Sequence, residues 1–314
     1  MLRRLIDRAL LFALRRSHSI AQRVMLSTPC RVAGQRFQVP VIAGAGLANM
    51  SIGPNDIALM RAAHHVLAHC RGAVIDVGCN IGHFMQLCLL AGRTRRYVGF
   101  DISLACCSYV ERFIQDNRLP AHQVFAVGLS DRTGVQHYLT DGAFDVCASL
   151  CRESHQAGRF TGSGAVMTER GDTILAAMNL DEIALIKIDV EGAEPQVLRG
   201  LRKTISRARP YVIFEVLSYA HFLSQQGDRD DLRAVAEQRR RNALEIDRFF
   251  RQHDYLIYRL QDEGGLEPRP TVDPEGYSDD TSADHLALPR EKAAQFLRDY
   301  PYPVQENAAT PQAA

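Results

Sequence analysis

From Gly72 onward the chain alternates short apolar runs with longer stretches in which apolar residues recur at helical spacing. That alternation marks βαβ units and a parallel sheet. Strands are predicted near 73–77, 96–100, 123–128, 183–188, 211–216, 255–260 and 284–288, and helices near 82–91, 104–117, 171–179, 194–207 and 229–252. No clear helical pattern separates the last two strands, so an antiparallel pair is expected at one edge. The fold class read from the pattern is α/β: a doubly wound, mostly parallel seven-stranded sheet with an antiparallel edge strand.

The flanks differ from this core. Leu2, Leu5, Ile6, Ala9, Leu10 and Ala13 recur at helical spacing among six arginines (3, 4, 8, 15, 16 and 23) and Asp7, so residues 1–28 read as a basic amphipathic helix. Such a helix suits an anionic membrane surface, and equally a dock on the main domain. Its composition also fits an organellar targeting segment, whereas the short apolar stretch from Ala9 to Leu14 fits a secretory signal poorly. Residues 29–71 are expected to lead in and pack on the core, 72–303 to form the main domain, and 304–314 to be a disordered tail. Within the main domain, residues 135–170 are rich in Gly, Ser and His and too long for a simple connector. They are assigned to substrate binding, with a plain β-hairpin excursion as the alternative.

Composition narrows the field. With 314 residues, 46% of them hydrophobic, the chain can bury one large core. Lys plus Arg number 37 against 36 for Asp plus Glu, so no net charge draws it to nucleic acid. The eight cysteines (30, 70, 79, 88, 106, 107, 147 and 151) include no Cys-x-x-Cys pair, which fits a reducing compartment and gives Cys147 and Cys151 no partners at zinc-site spacing. No run reaches the ~18–20 apolar residues that cross a bilayer. The expectation is a soluble, cytoplasmic protein, with residues 1–28 either in peripheral membrane contact or docked on the main domain.

The first chemical motif is Val74-Ile75-Asp76-Val77-Gly78-Cys79-Asn80-Ile81-Gly82-His83-Phe84, a buried strand, a glycine turn and a helix start. A diphosphate would need glycine at position 80, where Asn80 stands. A nucleoside without phosphate, such as S-adenosylmethionine, tolerates that side chain. Asp76 is expected to reach its ammonium end through water, and the Gly78 to Gly82 backbone to pack along it. Asp101, closing the second strand, is the expected ribose ligand, with helix capping as the alternative. Ser130 and Asp131, after the third strand, fall where an adenine edge would lie, though both are ordinary turn formers.

The second motif is Ile186-Lys187-Ile188-Asp189-Val190-Glu191-Gly192-Ala193-Glu194-Pro195. The strand carrying it should lie beside strand one, opening Asp189, Glu191 and Glu194 toward the ligand crevice. Acids before a helix also favour its N-terminus. Lys187 in a central strand needs an anion, and Asp189 or Glu215 is the expected partner.

These two motifs, with the stretch from Pro210 to Glu215, resemble the FkbM family of methyltransferases over roughly residues 70–217. Members often carry Glu-Pro where Asp101-Ile102 stands, and either acid can serve ribose. The resemblance implies a class I, Rossmann-like methyltransferase fold, S-adenosylmethionine as donor, and O-methylation of a sugar, glycoconjugate or polyketide-like small molecule. An alcohol is a poor nucleophile until its proton is leaving, so a general base is expected. Asp189 and Glu191 are the first candidates, followed by His155 and His221; the same carboxylates could instead hold Mg²⁺. The alternatives are a nicotinamide-dependent oxidoreductase, against which Asn80 and the lack of a Tyr-x-x-x-Lys pair argue, and a catalytically silent binding module.

Overall fold

The computed structural model describes residues 26–42, 46, 48–92, 95–145, 147–156, 158–180, 182–218, 230–272 and 283–305. Strands β1 (Leu26–Val32) and β2 (Gln35–Val41) form an antiparallel hairpin. Residues 26–28 are therefore strand rather than the end of the amphipathic helix: they pair with 39–41, and Pro29 biases Thr28 before it toward extended backbone. The rest of that predicted helix lies outside the described residues. The lead-in also holds α1 (Pro54–His69), started by proline in its first turn and by Asp56, which accepts the Gly53 N–H at 2.6 Å.

The main sheet contains the seven predicted strands: β3 (Ala73–Val77), β4 (Tyr97–Asp101), β5 (His122–Ala126), β9 (Ile183–Ile188), β10 (Tyr211–Glu215), β11 (Tyr255–Leu260) and β13 (Asp284–Pro289). An eighth, β12 (Leu266–Pro268), makes the antiparallel edge, and the order is β12-β11-β13-β10-β9-β3-β4-β5. β13 does not sit at the edge beside β11 alone. It inserts antiparallel between β10 and β11, which shields its apolar residues on both sides.

Alternate residues feed two cores. Val74, Leu185, Ile213 and Leu286 face a layer with α1, α2 (His83–Ala91) and α3 (Leu104–Asp116), whereas Ile75, Ile186, Val212 and Ala287 face the other. That second layer is built from α4 (Gly171–Ala177), α5 (Glu194–Gly200), α6 (Arg202–Ala208) and α7 (Asp230–Gln252). The helix predicted over 194–207 is thus two helices, broken at Leu201. A last helix, α8 (Arg290–Asp299), runs directly off β13.

The insertion is a small sheet of its own. β7 (Gly134–Thr140) and β8 (Gly162–Arg170) pair as a hairpin, and β6 (Gly128–Ser130) pairs parallel with β8. Residues 304–305 are ordered, since Val304 bridges to Leu266 and the Gln305 N–H donates to the Leu266 carbonyl at 2.8 Å. The predicted tail thus starts two residues too early; 306–314 lie outside the described residues. No helix among the described residues is long and apolar enough to cross a membrane.

Candidate active site

The tips of β3, β4 and β9 are stitched together by main chain. Gly78 N–H donates to the Phe100 carbonyl at 2.8 Å, and Asp189 N–H to the Val77 carbonyl at 3.0 Å. Gly78 adopts φ +84°, and a Cβ there would lie 1.8 Å from the Asp189 carbonyl oxygen, so only glycine fits. Over this junction lies a cavity lined by Val77, Gly78, Asn80, Asp101, Asp189 and Glu191, among others. It sits outside the carboxyl ends of the strands at the point where the strand order reverses, the usual ligand crevice of a doubly wound sheet.

Asn80 takes a left-handed backbone (φ +44°), a conformation Asn tolerates better than most residues. Its N–H donates to Asp101 Oδ2 at 2.7 Å, and the Ser103 N–H donates to Oδ1 at 2.8 Å. Asp101 is thereby fixed facing the cavity, each oxygen keeping a lone pair for a further donor. Its pKa is raised by burial against the opposing pull of those two N–H groups. Capping of α3 falls to Ser103, whose Oγ accepts the Cys106 N–H, so Asp101 is not spent on that role. Gly82 sits at the N-cap of α2 with φ +74° and frames the turn without itself lining the cavity.

Asp76 behaves differently from the expectation. It does not line the cavity; period-two geometry turns it under the floor, where it is fully buried and Tyr97 Oη donates to its Oδ2 at 2.6 Å. Burial pushes its pKa up to about 6, against the pull of Lys187 and Tyr97. Ser130 and Asp131 also lie off the cavity. Ser130 is buried in β6, and Asp131 pairs with Arg199 Nε at 2.8 Å. The cavity is lined there by the apolar residues Ile102, Val127, Leu129 and Leu150, which sequence reasoning missed because they look like ordinary core.

The acidic end is more crowded. Lys187 Nζ pairs with Asp189 Oδ2 at 2.7 Å, as one of the two expected partners, and Phe84 offers its ring 5.7 Å away. Burial opposes the lysine's charge, but Asp189 and Asp76 outweigh it and hold the pKa above its ordinary value. Glu191 has a left-handed backbone (φ +55°), and burial, then Asp189 and Glu194, push its carboxyl up to about 8. Side chains from elsewhere pin this turn: Ser149 Oγ donates to the Glu191 carbonyl at 2.7 Å, His155 Nε2 lies 2.8 Å from the same oxygen, and Asn242 Nδ2 donates to the Gly192 carbonyl at 2.8 Å. Glu194 is turned inward, its Oε1 accepting from Val190 N–H and Gly192 N–H at 3.1 and 3.2 Å, with burial raising its pKa to about 7. His155 thus holds the turn rather than facing the cavity, and His221 lies outside the described residues.

The connection between β7 and β8 covers the cavity. Asp145, Ala148 and Leu150 line it, Asn80 Nδ2 donates to the Asp145 carbonyl at 3.3 Å, and Ser103 Oγ to the Ala143 carbonyl at 2.7 Å. His83, also on the wall, is braced by Asp56 at 3.0 Å and Asn49 at 3.1 Å; no signal in the sequence linked these three.

The family model of the methyltransferase FkbM domain matches residues 76–257, more than half of the chain. The chain belongs to the FkbM methyltransferase family. A curated relative, the 2-O-methyltransferase NoeI of Sinorhizobium fredii, is 26% identical over 147 residues; the match spans 43% of this chain and 60% of that protein. The FkbM methyltransferase of Methylobacillus flagellatus KT overlays with a TM-score of 0.40 at 15% identity, covering 69% of this chain and 43% of that one. An O-methyltransferase of Bacillus cereus bound to SAH (S-adenosylhomocysteine) gives 0.40 at 12% identity, covering 76% and 81%. Overlays this loose record likeness only, and the family assignment rests on the sequence match. The match begins within the first motif, at residue 76, and takes in the second motif and the cavity between them.

Proposed function

We propose that this FkbM-family protein transfers a methyl group from S-adenosylmethionine to a hydroxyl on a sugar, glycoconjugate or polyketide-like small molecule. The observation that carries the reading is the meeting of Asp101 with Asp189 and Glu191 around one cavity above the Gly78 junction. Asp101, oriented by Asn80 and Ser103, accepts from the ribose hydroxyls. The slot of Ile102, Val127, Leu129 and Leu150 takes the adenine, displacing the role first given to Ser130 and Asp131. Gly78 and Asn80 pack along the ligand at the turn. Asp76, under the floor, sets the charge of Lys187 rather than touching the ligand.

Bound there, S-adenosylmethionine supplies an electrophilic methyl on its sulfonium. The cavity wall must align an acceptor oxygen with that methyl and keep water out. As the carbon–oxygen bond forms and the carbon–sulfur bond breaks, the hydroxyl proton is drawn off at the rim of Asp189 and Glu191, and S-adenosylhomocysteine leaves. The relative's name, a 2-O-methyltransferase, supports oxygen as the acceptor. The balanced charge of the chain fits a small or glycan acceptor better than nucleic acid, and the arginine-rich residues 1–25 would bring the enzyme to an anionic membrane from the cytoplasmic side.

The test incubates the protein with methyl-labelled S-adenosylmethionine and an extract of its own cells, followed by identification of the labelled product. A labelled ether on a hydroxyl is expected. Asp189→Asn and Glu191→Gln should lose turnover while still binding S-adenosylmethionine by calorimetry; full activity in both, or binding of NAD in place of S-adenosylmethionine, would overturn the reading.

A further inference from the structure

Asp189, Glu191 and Glu215 come from two adjacent strand ends, and a carboxylate oxygen of each lies within 4.8 Å of the others. Neighbouring carboxylates repel, so something must hold the charge between them. Lys187 answers only in part, because its ammonium is paired with Asp189 Oδ2 at 2.7 Å. Glu194 is no member of the group, since Val190 and Gly192 N–H occupy its Oε1. A second observation comes from Glu215. Its Oε2 is sealed from solvent and has no hydrogen-bond partner. A carboxyl oxygen so placed, on a side chain that belongs to the acidic group, must carry a proton or meet a cation.

We propose that Asp189, Glu191 and Glu215 hold a divalent cation at the acceptor end of the cavity. The proposal deepens the methyl-transfer reading and rests on it for the identity of the acceptor alone. Oxygens on opposite sides of an octahedral Mg²⁺ are about 4.2 Å apart with bonds of ~2.1 Å, and on opposite sides of Ca²⁺ about 4.8 Å apart with bonds of ~2.4 Å. A limit of 4.8 Å on every pair of oxygens is compatible with one coordination shell of either ion. All three ligands are oxygens, the donor set of hard cations rather than of zinc. Three protein ligands leave the remaining positions open on the side of the cavity that Asp189 and Glu191 line. Two adjacent hydroxyls of one sugar ring fill such positions in a chelate, so the acceptor class is a vicinal diol. The ion orients the diol and stabilises the negative charge that grows on the reacting oxygen.

The held turn at Glu191 fits this role. Its left-handed backbone is fixed by Ser149, His155 and Asn242, which keeps the carboxylate of a short, strained segment at the mouth of the group rather than free in solvent.

The test titrates Mn²⁺ into the full chain, stripped of metal by chelator, and follows the free ion by electron paramagnetic resonance, with S-adenosylmethionine affinity measured on the same sample. One Mn²⁺ per chain is expected, displaced by Mg²⁺ or Ca²⁺. Glu215→Gln should weaken Mn²⁺ by roughly tenfold or more while S-adenosylmethionine affinity is kept, which a collapsed site would not allow. Should Glu215→Gln fail to fold, Asp189→Asn carries the same comparison. A protein that binds S-adenosylmethionine but takes up no Mn²⁺ at millimolar concentration overturns the cation site and leaves methyl transfer standing. So does Mn²⁺ binding that neither substitution weakens. A protein that binds Mn²⁺ but not S-adenosylmethionine would keep the site and sink the methyl-transfer reading.

Discussion

Lys187 is the residue on which the acidic end depends, and Lys187→Met tests that dependence. Methionine keeps the length and apolar contacts of the side chain but removes the ammonium that lies 2.7 Å from Asp189 and faces Asp76 and Asp284. Even with Lys187 present, burial raises both Asp76 and Asp284 to about 6, from an ordinary value near 3.9. Carrying either charge at neutral pH therefore already costs the fold about 3 kcal/mol. Removing one partner of a fully buried ion pair costs ~3–5 kcal/mol; solvent reaches the 36% exposed Asp189 and screens this pair, so a loss of about 3 kcal/mol, roughly 6–12 °C in melting temperature, is expected. The sign of the pH dependence follows from linkage. A carboxyl whose folded pKa lies above its unfolded one holds its proton longer in the folded state, so stability falls as pH rises from about 4 through the folded value. Without Lys187 those folded values climb further and the falling window extends above pH 6. Lys187 gains nothing from protonated carboxyls, so the gap between variant and parent should narrow as pH drops from 7.5 toward 5. The chain has no tryptophan, so urea unfolding is followed by far-UV circular dichroism at each pH. A variant as stable as the parent at pH 7.5, or a gap that stays constant with pH, would refute the charge-balance argument.

Four further substitutions probe the cavity. Asp101→Ala removes the acceptor fixed by Asn80 and Ser103 N–H and should weaken S-adenosylmethionine by roughly tenfold to a hundredfold with the fold kept, read by calorimetry; unchanged affinity would remove the ribose assignment. Gly78→Ala places a Cβ 1.8 Å from the Asp189 carbonyl at φ +84°, so strain of about 1–3 kcal/mol plus main-chain displacement should lower both melting temperature and ligand affinity. Ser130→Ala and Asp131→Ala should leave that affinity within about twofold, because both side chains lie off the cavity; a tenfold loss in either would return the adenine edge to them.

Periodicity made the sheet legible. Short apolar runs of β3, β4, β5, β9, β10, β11 and β13 stand within a residue or two of where alternation put them, and the clearest are the central parallel strands β3 and β9, which are buried on both faces and so apolar along nearly their whole length. The same logic exposed Lys187 and the acids after it, since charge in such a strand demands a local partner, and Asp189 lies two residues away on the same face. Asp101 was legible for a similar reason: a carboxylate ending a strand has one edge of the sheet to face.

Other features needed contacts that no local pattern encodes. The partner of Asp76 depends on Gly99, whose missing side chain lets Tyr97 reach across to the carboxylate, with the Tyr97 hydroxyl 3.1 Å from where a Cβ at residue 99 would stand. The apolar side of the cavity is assembled from Ile102, Val127, Leu129 and Leu150, residues that look alike whether they line a core or a cavity. The three-carboxylate group joins Asp189 and Glu191 to Glu215 across the β9–β10 pairing, and the Glu191 turn is held by Ser149, His155 and Asn242 from distant segments. The sequence by itself determined which segments are strands, which acids end them and that the turn at Gly78 must be glycine-rich, because those follow from period, burial and local sterics. Only the tertiary structure decided which of those acids share a cavity, because that depends on strand order and on long-range packing, to which residues far apart in the chain contribute equally.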